Sequence, residues 1–346
     1  MSSRTLIIIN FKAARANESW RDIEPKLKAA NVPFDSHVTK WAGNATESTR
    51  KALREGYDTI AVIGGDGTLS ETAEGFFEFN VERPNFKAEE DSPHSINPHA
   101  VLAILPSGTG DDFARGLSGK RLPRNHWIDM FVAYCIKKAT QPAIEKSAIR
   151  NPQSAIKTID LIHGVVDGGA KQFVAINMAS IGFSAEVVQR VNEQTGIKKK
   201  LSGEMRFVMS ALTSLAVWRE RRVRVSIDED EPKEFSTNLL AVANNRFAGS
   251  GMMFAPDAKT DDRQLDIMLT HDITRLTIMR ELKRIREGLH LNNPNIEIQK
   301  AQKFKMETID ANDSLLIEAD GNLRGRTPAE FHVMTKALNV VWIGSI

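Results

Sequence analysis

Cysteine is nearly absent: the 346 residues hold one, Cys135. A single thiol builds neither a disulfide framework nor a cysteine-based metal centre within a chain. It suits a reducing, cytoplasmic compartment and reads as a small buried residue on a helix. Long hydrophobic runs are missing too. The opening MSSRTLIIINFKAARA is too apolar-poor for a secretion signal, and nothing later reaches the ~18 consecutive apolar residues of a membrane-spanning helix. Charge of one sign is not in excess either, since 46 Lys and Arg face 44 Asp and Glu for a net charge of +2. That removes the global electrostatic case for a nucleic-acid binder. Also absent are internal repeats, low-complexity tracts, a G-x-x-x-x-G-K-[ST] loop, and a G-x-G-x-x-G after the first strand.

What remains is an ordinary globular composition, 41% hydrophobic and 26% charged, in a chain long enough for two domains. Apolar runs at 6–10, 32–39, 57–63 and 100–105 read as strands, and periodic stretches at 19–30, 45–55 and 68–79 as helices. Thr68 and Glu71 have capping-box spacing. Strands alternating with helices predict a parallel α/β sheet. Residues 80–99, polar and proline-rich, read as a surface loop, and its His94 and His99 have no third partner for a metal. Beyond about residue 150 short alternating β-rich runs dominate, predicting an antiparallel sheet or sandwich. One helix interrupts it, with Leu201, Met205, Val208, Leu212 and Leu215 at helical spacing. The expected division is an α/β domain over 1–150, a β-rich domain over 151–327, and a last strand within 328–346 returning to the first.

Two strand-to-helix corners carry the chemistry. AVIGGDGTLSE (61–71) sends a strand into Gly64-Gly65-Asp66-Gly67-Thr68, and LPSGTGDDFAR (105–115) repeats the device with Gly108 and Thr109. Glycine turns at the carboxyl ends of parallel strands bring backbone N–H groups close to an anion, most often phosphate. Asp66 is the odd member. It holds Mg²⁺, accepts from a hydroxyl, or serves as an Asx-turn residue. Two such corners in one sheet point to a common crevice.

These blocks resemble the diacylglycerol kinase catalytic domain family, which includes bacterial lipid kinases and sphingosine and ceramide kinases. The resemblance continues through FVAINMASIGFSAEVV, ANNRFAGSGMMFAPDAKTDDRQLDIMLT (which holds two motifs, a glycine cluster with P-x-A and a D-G-x-L-D-like signature) and LLIEADGN, six blocks in order over nearly the whole chain. GGDGT alone is shared with NAD kinases. The resemblance implies an α/β nucleotide domain, a β-rich domain and a cleft between them. The implied reaction is ATP- and Mg²⁺-dependent transfer of a phosphoryl group to the hydroxyl of diacylglycerol or a related lipid alcohol. It implies that Asn10, Thr39, Gly64, Gly65, Asp66, Gly67, Thr68, Gly108 and Thr109 face nucleotide, and that Asp66 also faces metal. Asp320 matches the proposed general base. Asp262, with the carbonyls of Lys259 and Gln264, matches a structural magnesium site. Without the resemblance, Asp320-Gly321 reads as a hairpin turn and Asp261-Asp262 as a solvated loop.

The chain departs from the pattern at several motif positions. Phe11-Lys12 and Ala13-Ala14 stand where the family has proline and a Ser-Gly turn. Asp111 replaces an asparagine, an added negative charge expected to weaken ATP binding. Arg263 replaces a glycine beside the magnesium site, and Asn322 a glutamate. These departures keep two alternatives open, an NAD kinase-like enzyme and a non-catalytic nucleotide- or lipid-binding regulator. A lipid kinase must also reach its lipid. Residues 197–224, with Lys198, Lys199 and Lys200 at one end and Trp218, Arg219, Arg221, Arg222 and Arg224 at the other, suit peripheral contact with an anionic membrane. A helix packed on the β domain with its charges in water is the plainer alternative. A homodimer is expected only by analogy.

Overall fold

The computed structural model describes residues 4–79, 92–140, 155–194 and 203–342. Lys198, Lys199, Lys200 and Leu201 lie outside the described residues. The chain separates into two compact units, one of Met1–Asn80, Pro93–Leu161 and Thr335–Ile346, the other of Val81–Ser92 and Ile162–Met334.

In the first unit, β1 (Thr5–Ile9) is buried along its whole length, as a central parallel strand must be. Helix α1 (Ala16–Ala29) leads to β2 (Phe34–Val38), α2 (Asn44–Arg54) to β3 (Thr59–Gly64), and α3 (Asp66–Glu74) follows. Next come the short pair β4 (Phe77–Glu78) and β5 (His94–Ser95), then β6 (Val101–Pro106), α4 (Asp112–Ser118), α5 (Arg124–Thr140) and the start of β7 (Ile156–Val166). β1 pairs in parallel with β2 and β3, and β3 with β6 from Thr59↔Val101 to Gly64↔Pro106. The chain's final strand adds to β6 in parallel through Asn339 and Val340. Helix α2 buries Ala45, Thr49, Ala52 and Leu53, one face at helical spacing. Helix α5 buries Trp127, Phe131 and Cys135, whose thiol burial pushes up to about 12; it is an inert core residue.

Two local expectations are corrected. The helix expected over 68–79 is α3, Asp66–Glu74. It begins at Asp66 with Gly65 as N-cap, so Thr68 already lies in the first turn and no capping box forms. The Thr68 hydroxyl instead accepts from the Asn10 amide at 2.9 Å, and Glu71 accepts from the Ala45 N–H of α2 at 3.4 Å. Nor is 80–99 all loop: His94 and Ser95 pair with Glu78 and Phe77, and the His94 ring lies 3.7 Å from Glu78.

The second unit continues β7 and adds β8 (Lys171–Ala175), β9 (Met178–Gly182), α6 (Phe183–Glu193) and α7 (Gly203–Ala216). Strands β10 (Arg221–Ile227), β11 (Lys233–Thr237) and β12 (Leu239–Ala243) follow, with the small pair β13 (Phe247–Ala248) and β14 (Met252–Met253). Then come β15 (Leu265–Thr270), α8 (Arg275–Arg284), β16 (Ile296–Ala301), β17 (Lys303–Thr308), β18 (Leu316–Ala319), β19 (Asn322–Arg326) and β20 (Ala329–Val341). One antiparallel sheet runs β16-β15-β12-β9-β18-β19. A second group pairs β11 with β10, β10 with β17, and β17 with the beginning of β20. Alternation decides what each strand buries: on β10, Val223, Val225 and Ile227 are buried while Arg222 and Arg224 are exposed. With Phe304, Phe331, Ile181, Val242, Ile267 and Ile317 they form a core between the sheets. This is the antiparallel sandwich that the alternating runs predicted.

A second core covers the other face of the six-stranded sheet. There Phe183 and Val187 of α6, Ala211 and Leu215 of α7, and Ile278 of α8 meet Leu239, Ala241 and Met268. On α7 the apolar stripe read from the sequence is largely not the packed face. Met205, Val208 and Leu212 are exposed, and Ser210, Ala211, Ser214 and Leu215 are buried, because small residues let the helix lie close to α6.

Candidate active site

The first unit gathers its predicted residues at the carboxyl ends of its strands. Asn10 follows β1 and Thr39 follows β2. The Thr39 N–H donates to the Ile9 carbonyl at 2.9 Å, one residue from Asn10. The Asn10 side chain reaches Thr68, so β1 is tied to the start of α3. Gly64 and Gly65 end β3, Gly67 is exposed, and Thr109 stands exposed on the second turn. The two turns touch through their backbones: a Cβ on Gly108 would lie 2.8 Å from Gly65 Cα and 3.1 Å from Asp111 Oδ1. Only glycine permits that approach.

Asp66 is committed within this corner. Its Oδ1 accepts from the Phe113 N–H at 3.2 Å, so the first residue of α3 clamps the first turn of α4. Burial, and then the neighbouring Asp112 carboxylate, push Asp66 up to about 6. Two carboxylates crowded here would be relieved by a cation.

Asp111 does not add a bare charge beside the second turn. It is buried, at φ 51°. Its Oδ1 accepts from the Gly108 N–H at 2.8 Å, and its Oδ2 lies 2.5 Å from Arg15 and 3.2 Å from Arg121. The same two guanidiniums donate to the Gly108 and Thr109 carbonyls. The Asp111 charge is therefore neutralised by two guanidiniums. The sequence showed the asparagine-to-aspartate change but not its partners, which lie 96 residues before and 10 residues after it.

The second unit holds Asp320. Asp320 (φ 50°) and Gly321 (φ 83°) form the two-residue turn between β18 and β19, with both positions left-handed as a type I′ turn requires. The carboxylate receives three backbone amides, from Ile176 at 2.9 Å, Asn177 at 3.1 Å and Met178 at 3.0 Å. It fixes the start of β9 as well as its own hairpin. Two residues earlier Glu318 is buried. Its carboxylate accepts from the Ser180 hydroxyl at 2.5 Å and the Gly321 N–H at 2.9 Å, and burial pushes it up to about 7. Beside them Asn245 donates to the Asn177 side chain at 2.7 Å, and Asn244 to the Ile176 carbonyl at 2.9 Å. Sequence reasoning quoted the blocks holding Glu318, Asn177, Asn244 and Asn245 without singling those residues out. The signal available was polar residues standing inside an otherwise buried strand, as Glu318 does in β18, or at a buried strand's end, as Asn177 does before β9 and Asn244 and Asn245 after β12.

Lys259, Asp262 and Gln264 precede or begin β15. Asp262 Oδ1 accepts from the Gln264 N–H at 3.2 Å, and its Oδ2 from the Lys300 ammonium at 2.5 Å. Arg263 takes the turn at φ 63°, so the conformation suited to glycine is kept with a side chain in it, at a cost of about 1 kcal/mol. Asp262 and Asp266 already share the Lys300 ammonium, at 2.5 and 3.7 Å, and a cation in that place does not suit Mg²⁺, which demands several oxygen donors and surrenders its waters reluctantly.

The basic end of 197–224 is locally compensated. Arg219 pairs with Asp313, Arg221 with Glu186 and Asp313, Arg222 with Glu234, and Arg224 with Glu234 and Glu307. Trp218 is buried against Phe183, ring centroids 5.3 Å apart. Among the described residues no helix is long and apolar enough to cross a membrane.

Comparison with known proteins now has geometry to stand on. Residues 4–143 match the diacylglycerol kinase catalytic domain, and residues 177–342 match the YegS C-terminal NAD kinase beta sandwich-like domain. A diacylglycerol kinase of Bacillus subtilis (strain 168) is 25% identical over 340 residues, 98% of this chain and 96% of that protein. A probable YegS-like lipid kinase of Stenotrophomonas maltophilia (strain K279a) is 28% identical over 270 residues, 78% and 74% of the two chains. The fold is shared with the crystal structure of a putative diacylglycerol kinase from Bacillus anthracis str. Sterne, at a TM-score of 0.66 and 22% identity over 98% of this chain and 97% of that one. A two-domain phosphotransferase fold of the lipid kinase class is thus present from end to end. The chain belongs to the diacylglycerol kinase family.

Proposed function

We propose that the protein transfers the γ-phosphoryl group of ATP to the hydroxyl of diacylglycerol or a related lipid alcohol. The observation that carries this reading is the pair of glycine corners packed backbone to backbone, Gly65 against Gly108, at the carboxyl ends of β3 and β6. Phosphoryl transfer is mainly positioning and charge neutralisation. The corner supports it with N–H groups at the start of α3, with Asn10, Thr39, Thr68 and Thr109 around them, and with Arg15 and Arg121 held by Asp111. Asp66 and Asp112, whose crowding raises Asp66, would hold the Mg²⁺ that accompanies ATP. When bound, that ion screens phosphate charge. Asp320 is the proposed acceptor of the lipid hydroxyl's proton; its three amide donors hold the carboxylate in one place, and a loose transition state asks little of the base.

The lipid side rests on the second unit. A cavity of about 40 Å³ lies between the helices and the six-stranded sheet, lined by Phe183, Val187, Leu239, Met268 and Ile278 among others. It holds only a methylene or two, so a lipid tail would enter as the helices part. The exposed Met205, Val208 and Leu212 of α7 offer an apolar contact with a bilayer surface.

The test is γ-labelled ATP with vesicles carrying diacylglycerol, ceramide or sphingosine, and with NAD⁺ as a soluble acceptor. Label is expected in a lipid phosphate monoester, in a Mg²⁺-dependent manner. Label in NAD⁺, or in no lipid of a mixed extract, would sink the reading.

A further inference from the structure

We propose that the Asp262 loop is a metal-free site in which the Lys300 ammonium takes the place of the structural magnesium ion that the sequence resemblance implies. The inference is independent of which lipid the protein phosphorylates.

Sheet register brings the lysine there. β15 and β16 are antiparallel with Asp266 directly opposite Lys300, and directly opposed residues project to the same face. From that position the four-carbon stem carries Nζ to 2.5 Å from Asp262 Oδ2 and 3.7 Å from Asp266 Oδ2. Asp266 is only 2% exposed, and its Oδ2 receives no hydrogen bond. The ammonium is the cation facing that buried oxygen. Lys300 therefore joins the loop carboxylate to the strand carboxylate, the bridging task of a bound cation.

The rest of the loop is closed without a metal. The Gln264 N–H donates to Asp262 Oδ1, an Asx-type turn that orders the backbone through the side chain. Arg263 holds the left-handed conformation at its centre. A divalent ion at Asp262 would have to expel an ammonium already in hydrogen-bond contact, or sit against a like charge. A tethered cation also cannot be removed by a chelator, so the loop's order is independent of the divalent-ion supply.

The experiment uses the whole chain without nucleotide, stripped with EDTA. Thermal midpoints are measured in EDTA, in Mg²⁺ and in Ca²⁺, and Mn²⁺ binding is followed by electron paramagnetic resonance. For the natural chain any shift of the midpoint by Mg²⁺ or Ca²⁺, and any Mn²⁺ bound, should be unaffected by Asp262→Asn. Lys300→Met should lower the midpoint in EDTA, recover it saturably with Mg²⁺ or Ca²⁺, and gain a Mn²⁺ site that Asp262→Asn removes. Lys300→Arg should respond to divalent ions as the natural chain does. The proposal is overturned if Mg²⁺ raises the natural chain's midpoint above that in EDTA by an amount that Asp262→Asn abolishes, or if the natural chain binds Mn²⁺ at a site lost in Asp262→Asn. Should Lys300→Met fail to fold, the natural chain and Lys300→Arg still decide.

Discussion

A buried charge is judged by its company, as two carboxylates here show, and the first reverses what its sequence position suggests. Asp111 reads as a charge that repels phosphate, yet it holds Arg15 and Arg121 on the second glycine turn. Asp111→Asn should therefore weaken the protein rather than free an ATP site. Charge-assisted hydrogen bonds contribute about 1.5–3 kcal/mol each when partly buried, and the two arginines are partly exposed, so a loss of about 2 kcal/mol is expected. Urea denaturation measures it, and ATP affinity by calorimetry should fall; tighter ATP binding with unchanged stability would refute the role. Glu318 gives the second case. Its folded-state value, about 7, lies above the ordinary carboxylate's 4.5, chiefly because it is buried. Its contribution to stability is thus fully present below pH 4.5 and lost as pH rises through about 7. Glu318→Gln keeps an acceptor for the Gly321 N–H and a donor for the Ser180 oxygen, with no charge to bury. At pH 8 the variant should exceed the natural chain by about 3 kcal/mol, and near pH 4 the two should agree in urea titrations.

Elements meet at the glycine corners, and there tolerance is smallest. Gly108→Ala places a methyl 2.8 Å from Gly65 Cα, a backbone clash that no rotamer relieves. The turns after β3 and β6 must separate, costing about 1–3 kcal/mol. ATP affinity should fall at least tenfold, of which calorimetry is the direct check, while Gly67→Ala, with no protein atom within 4 Å of its Cβ, should keep the native stability in urea. This contrast also shows what was legible beforehand. The alternation of strands and helices, the glycine corners and the β-rich second half were readable because each is a local pattern of residue type and spacing. The start of α3 was misplaced by two residues, because Gly65 and not Thr68 is its N-cap, and its end by five, since the helix stops at Glu74. The partners of Asp111, the three amides on Asp320 and the approach of Lys300 to Asp262 were not readable. Each depends on strand register or on contacts between segments far apart in the chain, and no local pattern records them.

At the scale of the whole molecule the chain order itself is a constraint. The polypeptide leaves the first unit within β7, between Leu161 and Ile162, and returns within β20, between Met334 and Thr335, so the first unit is not complete until the stretch after Met334 has been made. The returning stretch pairs Asn339 and Val340 with β6 and buries Leu338, Val340 and Val341 almost completely. Its side chains also serve the first unit: Asn339 bonds the Thr158 hydroxyl at 2.9 Å and the Pro98 carbonyl at 3.1 Å, and the Lys336 N–H donates to Asp160 at 2.7 Å. Burial of three aliphatic side chains is worth about 1.5–3 kcal/mol each, about 4.5–9 kcal/mol together as an upper estimate. That is comparable to the entire stability of a domain, about 5–15 kcal/mol. A chain ending at Met334 should therefore lose the first unit while keeping the β sandwich, whose core lies within Ile162–Met334. Limited proteolysis should then cut throughout residues 4–161 and spare the second unit, ATP binding should vanish, and a separately supplied peptide of 335–346 should restore part of it. An ATP-binding, protease-resistant first unit in the truncated chain would show that the returning strand is dispensable.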